Sequence, residues 1–242
     1  MNKLYVVGIG PGEASQMTQK AMDALRDSDV IAGYGVYVDL VKPLFPEKEY
    51  LTTAMRKEAD RCRMAIDAAM EGKTVSMISS GDAGVFGMAG LILELSRDKD
   101  LTVEVIPGVT AALSGGAVLG APLTHDFAVI SLSDLLTPWE KIEKRLDLAA
   151  QADLCIAVYN PASHRRADYL QKACDILLRH ASPDTVCGVV RNIGREGESC
   201  RVMTLAELRD YQADMFTTVF IGNSQTMNIN GRMVTPRGYR DV

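Results

Sequence analysis

Ser80-Gly81-Asp82-Ala83-Gly84 follows an apolar run at residues 74–78 and leads to a second apolar segment ending Leu91-Ile92-Leu93-Glu94-Leu95. A strand, a turn of tiny residues and then a helix bring backbone N–H groups up against a ligand. Gly81 and Gly84 permit close approach and a left-handed backbone. Asp82 between them reads either as the cap of the coming helix or as an acceptor for a ligand's amine or hydroxyl groups. Two further turns have the same character: Gly8-Ile9-Gly10-Pro11-Gly12 after Leu4-Tyr5-Val6-Val7, and Pro107-Gly108-Val109-Thr110-Ala111 after Thr102-Val103-Glu104-Val105-Ile106. The helix expected after the last of these carries Ser114, Gly115, Gly116, Ala117 and Gly120. Each interior glycine costs a helix about 1 kcal/mol relative to alanine, so the adjacent pair signals that another backbone or a ligand comes very close.

Polar insertions interrupt the second half directly after strand-like runs. They are Tyr159-Asn160-Pro161-Ala162-Ser163-His164-Arg165-Arg166, then Arg191-Asn192-Ile193-Gly194-Arg195-Glu196-Gly197-Glu198, then Gly222-Asn223-Ser224-Gln225-Thr226. Arginines there, Arg165, Arg191 and Arg195 among them, suit carboxylate or phosphate recognition, because guanidinium pairs with either in a bidentate fork. His125-Asp126 reads as a general acid–base pair or as a structural hydrogen bond. No Ser/His/Asp or Cys/His triad assembles from the spacing, which favours a reaction whose chemistry is carried by cofactor and substrate. His125, His164 and His180 lack metal-ligand spacing, so no protein-held metal is expected. The five cysteines are scattered without a CxxC pair, as reduced thiols in a cytoplasmic protein are.

The elements that must position these residues alternate strand and helix, the pattern of an α/β protein with a largely parallel sheet. Ala59, Cys62, Ile66 and Ala69 share one helical face, as do Trp139, Ile142, Leu146 and Ala149, and Leu170, Ala173 and Leu177. Gly120-Ala121-Pro122-Leu123 is the best linker, and it divides the chain into α/β lobes at residues 1–120 and 121–242, with a cleft between them. A nicotinamide dinucleotide fits poorly, since Glu13 stands where the third glycine belongs and the second strand closes on Gly33-Tyr34-Gly35 rather than on an acid. Gly72-Lys73-Thr74 imitates the end of a P-loop but precedes a strand, and Asp67 replaces its leading glycine. The formal charge of −5 argues against a nucleic-acid partner. No apolar run approaches the ~18 residues of a membrane span, and no signal region precedes the first strand, so a cytoplasmic enzyme is expected.

Gly8-Ile9-Gly10-Pro11-Gly12, Ser80-Gly81-Asp82 and Pro107-Gly108-Val109-Thr110-Ala111 resemble the three signatures of the tetrapyrrole methylases, S-adenosylmethionine-dependent enzymes of two α/β lobes. Most of that family reads Gly-Asp-Pro where this chain reads Gly81-Asp82-Ala83. With Tyr159-Asn160-Pro161, Arg191-Asn192, Gly194-Arg195-Glu196 and Ile221-Gly222-Asn223-Ser224, that departure is similar to the C-17 methyltransferase branch. The resemblance implies methylation of precorrin-3B or cobalt-factor III at carbon 17 with ring contraction, in cobalamin synthesis, S-adenosylhomocysteine being the other product. The alternatives are a tetrapyrrole methylase acting at another carbon and a non-catalytic adenosyl-ligand module. By similarity, Pro11, Ser80, Gly81, Asp82, Val85, Thr110, Ala111, Asn160 and Ile193 contact the cofactor. Tyr34 aligns roughly with a proton-accepting carboxylate of a sister branch, which with His125 and Asp126 completes the candidate catalytic set. Arg56, Arg165, Arg191 and Arg195 face the acidic fringe of the tetrapyrrole, and the family suggests a homodimer.

Overall fold

The computed structural model describes residues 2–54, 56–163 and 166–239. Arg165, expected in a ligand-facing loop, lies outside the described residues. The chain divides into two compact units, Met1–Ala111 and Ala112–Val242. The division falls one helix earlier than the Gly120–Leu123 linker, so the glycine-rich helix groups with the second unit.

The first unit runs β1 (Lys3–Gly8), α1 (Gln19–Asp27), β2 (Val30–Tyr34), α2 (Gly35–Val41), β3 (Glu49–Thr53), α3 (Glu58–Met70), β4 (Thr74–Ser79), α4 (Ala89–Ser96) and β5 (Thr102–Ile106). Its five strands lie in the order β3-β2-β4-β1-β5, all paired in parallel. A parallel sheet covered on both faces needs strands that are apolar throughout, and β1 is buried from Leu4 to Gly8. Alternate residues serve opposite layers. Leu4 and Val6 join Cys62, Ile66, Met77 and Ile92 on one face. Tyr5 and Val7 join Leu25, Ile31, Val38 and Ile78 on the other. The Thr18 hydroxyl caps α1 by accepting from the Ala21 N–H at 3.1 Å. Gly72, at φ +93°, carries the chain out of the end of α3 in the left-handed region.

The second unit runs α5 (Ala111–Leu119, its first residue at the boundary), β6 (Gly120–Ala121), β7 (Phe127–Ser131), α6 (Trp139–Gln151), β8 (Cys155–Tyr159), α7 (Tyr169–Leu177), β9 (Val186–Arg191), β10 (Ser199–Thr204), α8 (Leu205–Arg209), β11 (Thr217–Ile221), β12 (Met227–Ile229) and β13 (Arg232–Val234). The main sheet has the order β10-β9-β11-β8-β7. β7 and β8 are parallel, whereas β11 runs antiparallel to both β8 and β9. β7, β8 and β9 therefore share a direction that β11 opposes. The expected helical faces are the packed ones: Ile142, Leu146, Ala149, Leu170, Ala173 and Leu177 all belong to this core. β12 and β13 form a hairpin, and β13 pairs with β6. Gly115 of α5 is required by packing, since a Cβ there would stand 2.9 Å from both Ile193 Cδ1 and Phe220 Cζ.

Candidate functional site

Because the first sheet is parallel, the chain leaves β1, β4 and β5 at one edge, and their three turns meet there. Gly10 and Gly81 exchange backbone hydrogen bonds, Gly10 N to Gly81 O at 3.1 Å and Gly81 N to Gly10 O at 2.7 Å. Both glycines have positive φ, +71° and +68°. Gly8 and Gly108 are in backbone contact: a Cβ on Gly108 would lie 2.2 Å from Gly81 O and 2.6 Å from Gly8 O. A Cβ on Gly81 would meet Thr110 Cα at 3.4 Å and Ala111 N at 3.7 Å.

Asp82 ties the arrangement together. Its Oδ1 accepts from the Gly84 N–H at 2.8 Å and its Oδ2 from the Gly108 N–H at 2.9 Å. The cap reading of Asp82 is thus corrected: α4 starts only at Ala89, with Met88 in the cap position and no side-chain cap bond. Pro11, Ser80, Gly81, Asp82, Val85, Thr110 and Ala111 all fall in these converging turns. Pro11 and Gly81 are buried, while Ser80, Asp82, Val85, Thr110 and Ala111 are half-buried.

Tyr34 ends β2 at the same edge of the sheet. Its ring meets Tyr37 edge-on, centroids 5.5 Å apart, and the Arg61 guanidinium carbon stands 5.9 Å from its centre. Arg61 is a buried cation that the sequence reading missed; its Nη1 donates to Thr53 Oγ1 at 2.8 Å. Only the polar end of β3 could have announced it, because a buried arginine needs such a partner. Arg56 lies exposed in the connection from β3 to α3, with φ +66°.

In the second unit, loops after β7, β8 and β9 leave one edge of the sheet. Asn160, at φ +53°, is exposed and donates from Nδ2 to Ser131 Oγ at 2.9 Å. Tyr159 turns the other way, and its hydroxyl accepts the Ala112 N–H of α5 at 2.7 Å. Ile193 is buried against α5 at Gly115. Arg191 donates from Nε to Asp214 Oδ2 at 2.6 Å, and that bond holds its own pKa above the ordinary value. Its guanidinium is therefore engaged within the protein. Arg195 is half-buried in the same loop.

His125-Asp126 and the Gly222–Thr226 insertion sit at the opposite edge of this sheet. His125 and Asp126 are exposed and precede β7, while the loops with Asn160 and Arg191 follow strands running the same way. A strand of five residues separates them, about 16 Å at the usual rise. Among the described residues no hydrogen bond joins their side chains, and Asp126 uses its carbonyl to accept the Cys155 N–H. The Gly222–Thr226 insertion also sits at that far edge, because β11 is reversed: Ile221 pairs with Ile156 and Cys187, the amino ends of β8 and β9. There Ser224 donates from N and Oγ to Asp153 at 2.8 and 2.6 Å, which makes it a structural clasp.

The sequence model of the tetrapyrrole (corrin/porphyrin) methylases matches residues 3–209. The chain belongs to this family. A probable cobalt-factor III C(17)-methyltransferase of Salmonella typhimurium is 47% identical to this tetrapyrrole methylase over 98% of the chain and 99% of the relative. The cobalt-factor III methyltransferase of Priestia megaterium is 45% identical, and this chain spans only 45% of that longer protein's length. Among solved structures, that of the methyltransferase CobJ superposes with a TM-score of 0.91 at 35% identity, covering 98% of this chain and 100% of the other.

Within this tetrapyrrole methylase, the first unit's three-turn edge is suited to a small ligand with polar and apolar parts. Glycines remove side chains from the surface, backbone groups supply donors and acceptors at fixed positions, and Val85 and Ala111 add apolar contact. Such a surface offers fixed donors and acceptors and no nucleophile.

Proposed function

We propose that the chain transfers a methyl group from S-adenosylmethionine to carbon 17 of a corrin precursor, cobalt-factor III or precorrin-3B, with contraction of the macrocycle, as a step of cobalamin biosynthesis. The observation that carries the reading is the near end-to-end match to a relative named for that reaction. S-adenosylmethionine, when bound, supplies an electrophilic methyl carbon on a sulfonium. The chain's own task is then to hold two reactants at about 3–3.5 Å in the right orientation and to keep water out. Pro11, Ser80, Gly81, Val85, Thr110 and Ala111 would hold the donor, since they lie in turns that pack backbone directly on backbone around Gly8, Gly10, Gly81 and Gly108 and so present main-chain groups at fixed positions. Asp82 keeps the turns of β4 and β5 at a fixed separation. Asn160 and Ile193 belong to the same reading as further donor contacts, and Arg56 and Arg195 as partners for the substrate's carboxylates. Tyr34, half-buried beside Arg61, is the acid–base candidate at the first unit's edge.

The reading includes a cytoplasmic homodimer. Free thiols support the compartment, four buried and Cys200 exposed. Among the described residues no helix is long and apolar enough to cross a membrane.

Incubation with methyl-labelled S-adenosylmethionine and cobalt-factor III, and separately precorrin-3B, is the direct test. Label at carbon 17 by NMR supports the proposal, and label at another carbon makes the chain a methylase of different regiochemistry. Donor binding with no transfer to either substrate would reduce it to an adenosyl-ligand module.

A further inference from the structure

The loop from Ser131 to Pro138, between β7 and α6, contains the most exposed large apolar side chain among the described residues: Leu136 is 98% exposed and its neighbour Leu135 61%. The loop is not loose. Ser131 Oγ accepts from Asn160 Nδ2 at 2.9 Å and from the Ser133 N–H at 3.2 Å. Tyr169 donates its hydroxyl to Asp134 Oδ2 at 2.6 Å, and Trp139 packs on the Tyr169 ring with centroids 4.5 Å apart. Arg166 approaches the other carboxylate oxygen at 3.6 Å and donates from Nε to Ser163 Oγ at 3.0 Å. Its buried Nη1 has no hydrogen-bond partner. A set of polar side chains thus holds two leucines out in water, where each exposes apolar area that costs free energy unless something covers it.

Building on the methyltransferase reading, we propose that Leu135 and Leu136 form an apolar platform for the face of the tetrapyrrole substrate, with Asp134, Arg166 and Tyr169 as the residues that position it. The platform stands at the edge where β7, β8 and β9 end. β7 and β9 are three strand spacings apart in the sheet order, about 14 Å, comparable to the width of a tetrapyrrole with its acidic arms. Apolar side chains at one end of that edge and the half-buried Arg195 in the loop after β9 at the other complement a flat ring fringed with carboxylates. A protein partner is the poorer occupant: two leucines supply far less than the roughly 800 Å² per side that a stable protein interface buries.

The sole tryptophan, Trp139, adjoins the loop and serves as a reporter. Cobalt-factor III, titrated without methyl donor, is expected to quench its fluorescence. The double variant Leu135→Ser, Leu136→Ser is expected to bind cobalt-factor III about tenfold more weakly or worse, with S-adenosylhomocysteine affinity and thermal midpoint unchanged. Leu148→Ser, an exposed leucine of α6 away from the loop, is the control that stays as wild type. An unchanged titration in the double variant overturns the platform. So does a change in sedimentation state with binding per chain preserved, which would assign the leucines to a second copy. Wild-type protein that neither binds nor methylates cobalt-factor III or precorrin-3B would sink the methyltransferase reading itself, and the platform with it.

Discussion

The Asp82 carboxylate reaches across two strand ends to the backbone N–H of Gly108, 2.9 Å away, while its other oxygen holds the Gly84 N–H of its own turn. One side chain therefore sets the distance between the turns after β4 and β5. Charge-assisted bonds to backbone donors are among the stronger kind, and here they act where Gly8, Gly81 and Gly108 touch through backbone alone, with no side chain between them to act as a spacer.

Asp82→Ala leaves two N–H groups without their acceptor, and it is expected to lower unfolding free energy by about 1–3 kcal/mol. Binding of S-adenosylhomocysteine should weaken with it, because the donor surface loses its spacing. Asp82→Asn, which keeps one acceptor oxygen, should fall between. Urea unfolding and calorimetry on the same samples check this. Lost affinity at unchanged stability would mean that the carboxylate meets the ligand directly.

Glycine substitutions separate close approach from mere helix economy. Gly108→Ala places a Cβ 2.2 Å from Gly81 O, a backbone atom that cannot step aside, and should cost about 2–3 kcal/mol together with donor binding. Gly90→Ala, exposed in α4 with nothing within 4 Å, should instead gain up to about 1 kcal/mol. Comparable losses at both positions would show that the turns do not depend on backbone contact.

Much of this edge was legible from sequence, because parallel strands buried on both faces read as short apolar runs and the turns between them as clusters of glycine. What escaped did so for physical reasons. β3 is half-exposed at the sheet's margin, so Glu49–Thr53 carries no apolar run. Arg61 looks like any helix-surface arginine until Thr53 and Tyr34 are seen to enclose it. The reversal of β11 is a property of the whole sheet, and it alone moves Gly222–Thr226 to the far edge. The placement of His125-Asp126 was hidden for a similar reason: adjacency to a strand does not say which end of the sheet a residue occupies until the strand directions are known. Arg191 stood in the expected place, but its partner Asp214 lies 23 residues on, beyond any local pattern.

The thiols give a test of burial. Desolvation pushes Cys62 up to about 11 and Cys174 up to about 12, and Cys187 is likewise raised by burial. Only Cys200 is exposed among the five. The thiolate is the reactive form, so Ellman's reagent at neutral pH should modify one thiol rapidly in the native protein and all of them after denaturation. Labelling that persists in Cys200→Ser would reveal a native opening around one of the others.

Acid should expose the second unit's loop anchor. Burial acts to raise the Asp214 pKa, but hydrogen bonds from Arg191, from the Thr217 hydroxyl and from the Phe216 N–H outweigh it and hold the carboxyl below its ordinary value. A carboxyl whose folded pKa is depressed contributes stability that is present above the unfolded value, about 3.9, and is lost as pH falls through the folded one. The wild type should therefore be more stable than Asp214→Asn at pH 7 and pH 6 by the same margin, and the margin should shrink once pH drops below about 4. The carboxylate is partly solvated, so salt should trim the margin at neutral pH as well. Urea midpoints for both proteins across that range decide it. A margin that stays constant down to the acid limit would mean that the Arg191–Asp214 bond adds nothing to folding, which would leave Arg191 available to a substrate carboxylate at no cost to the loop.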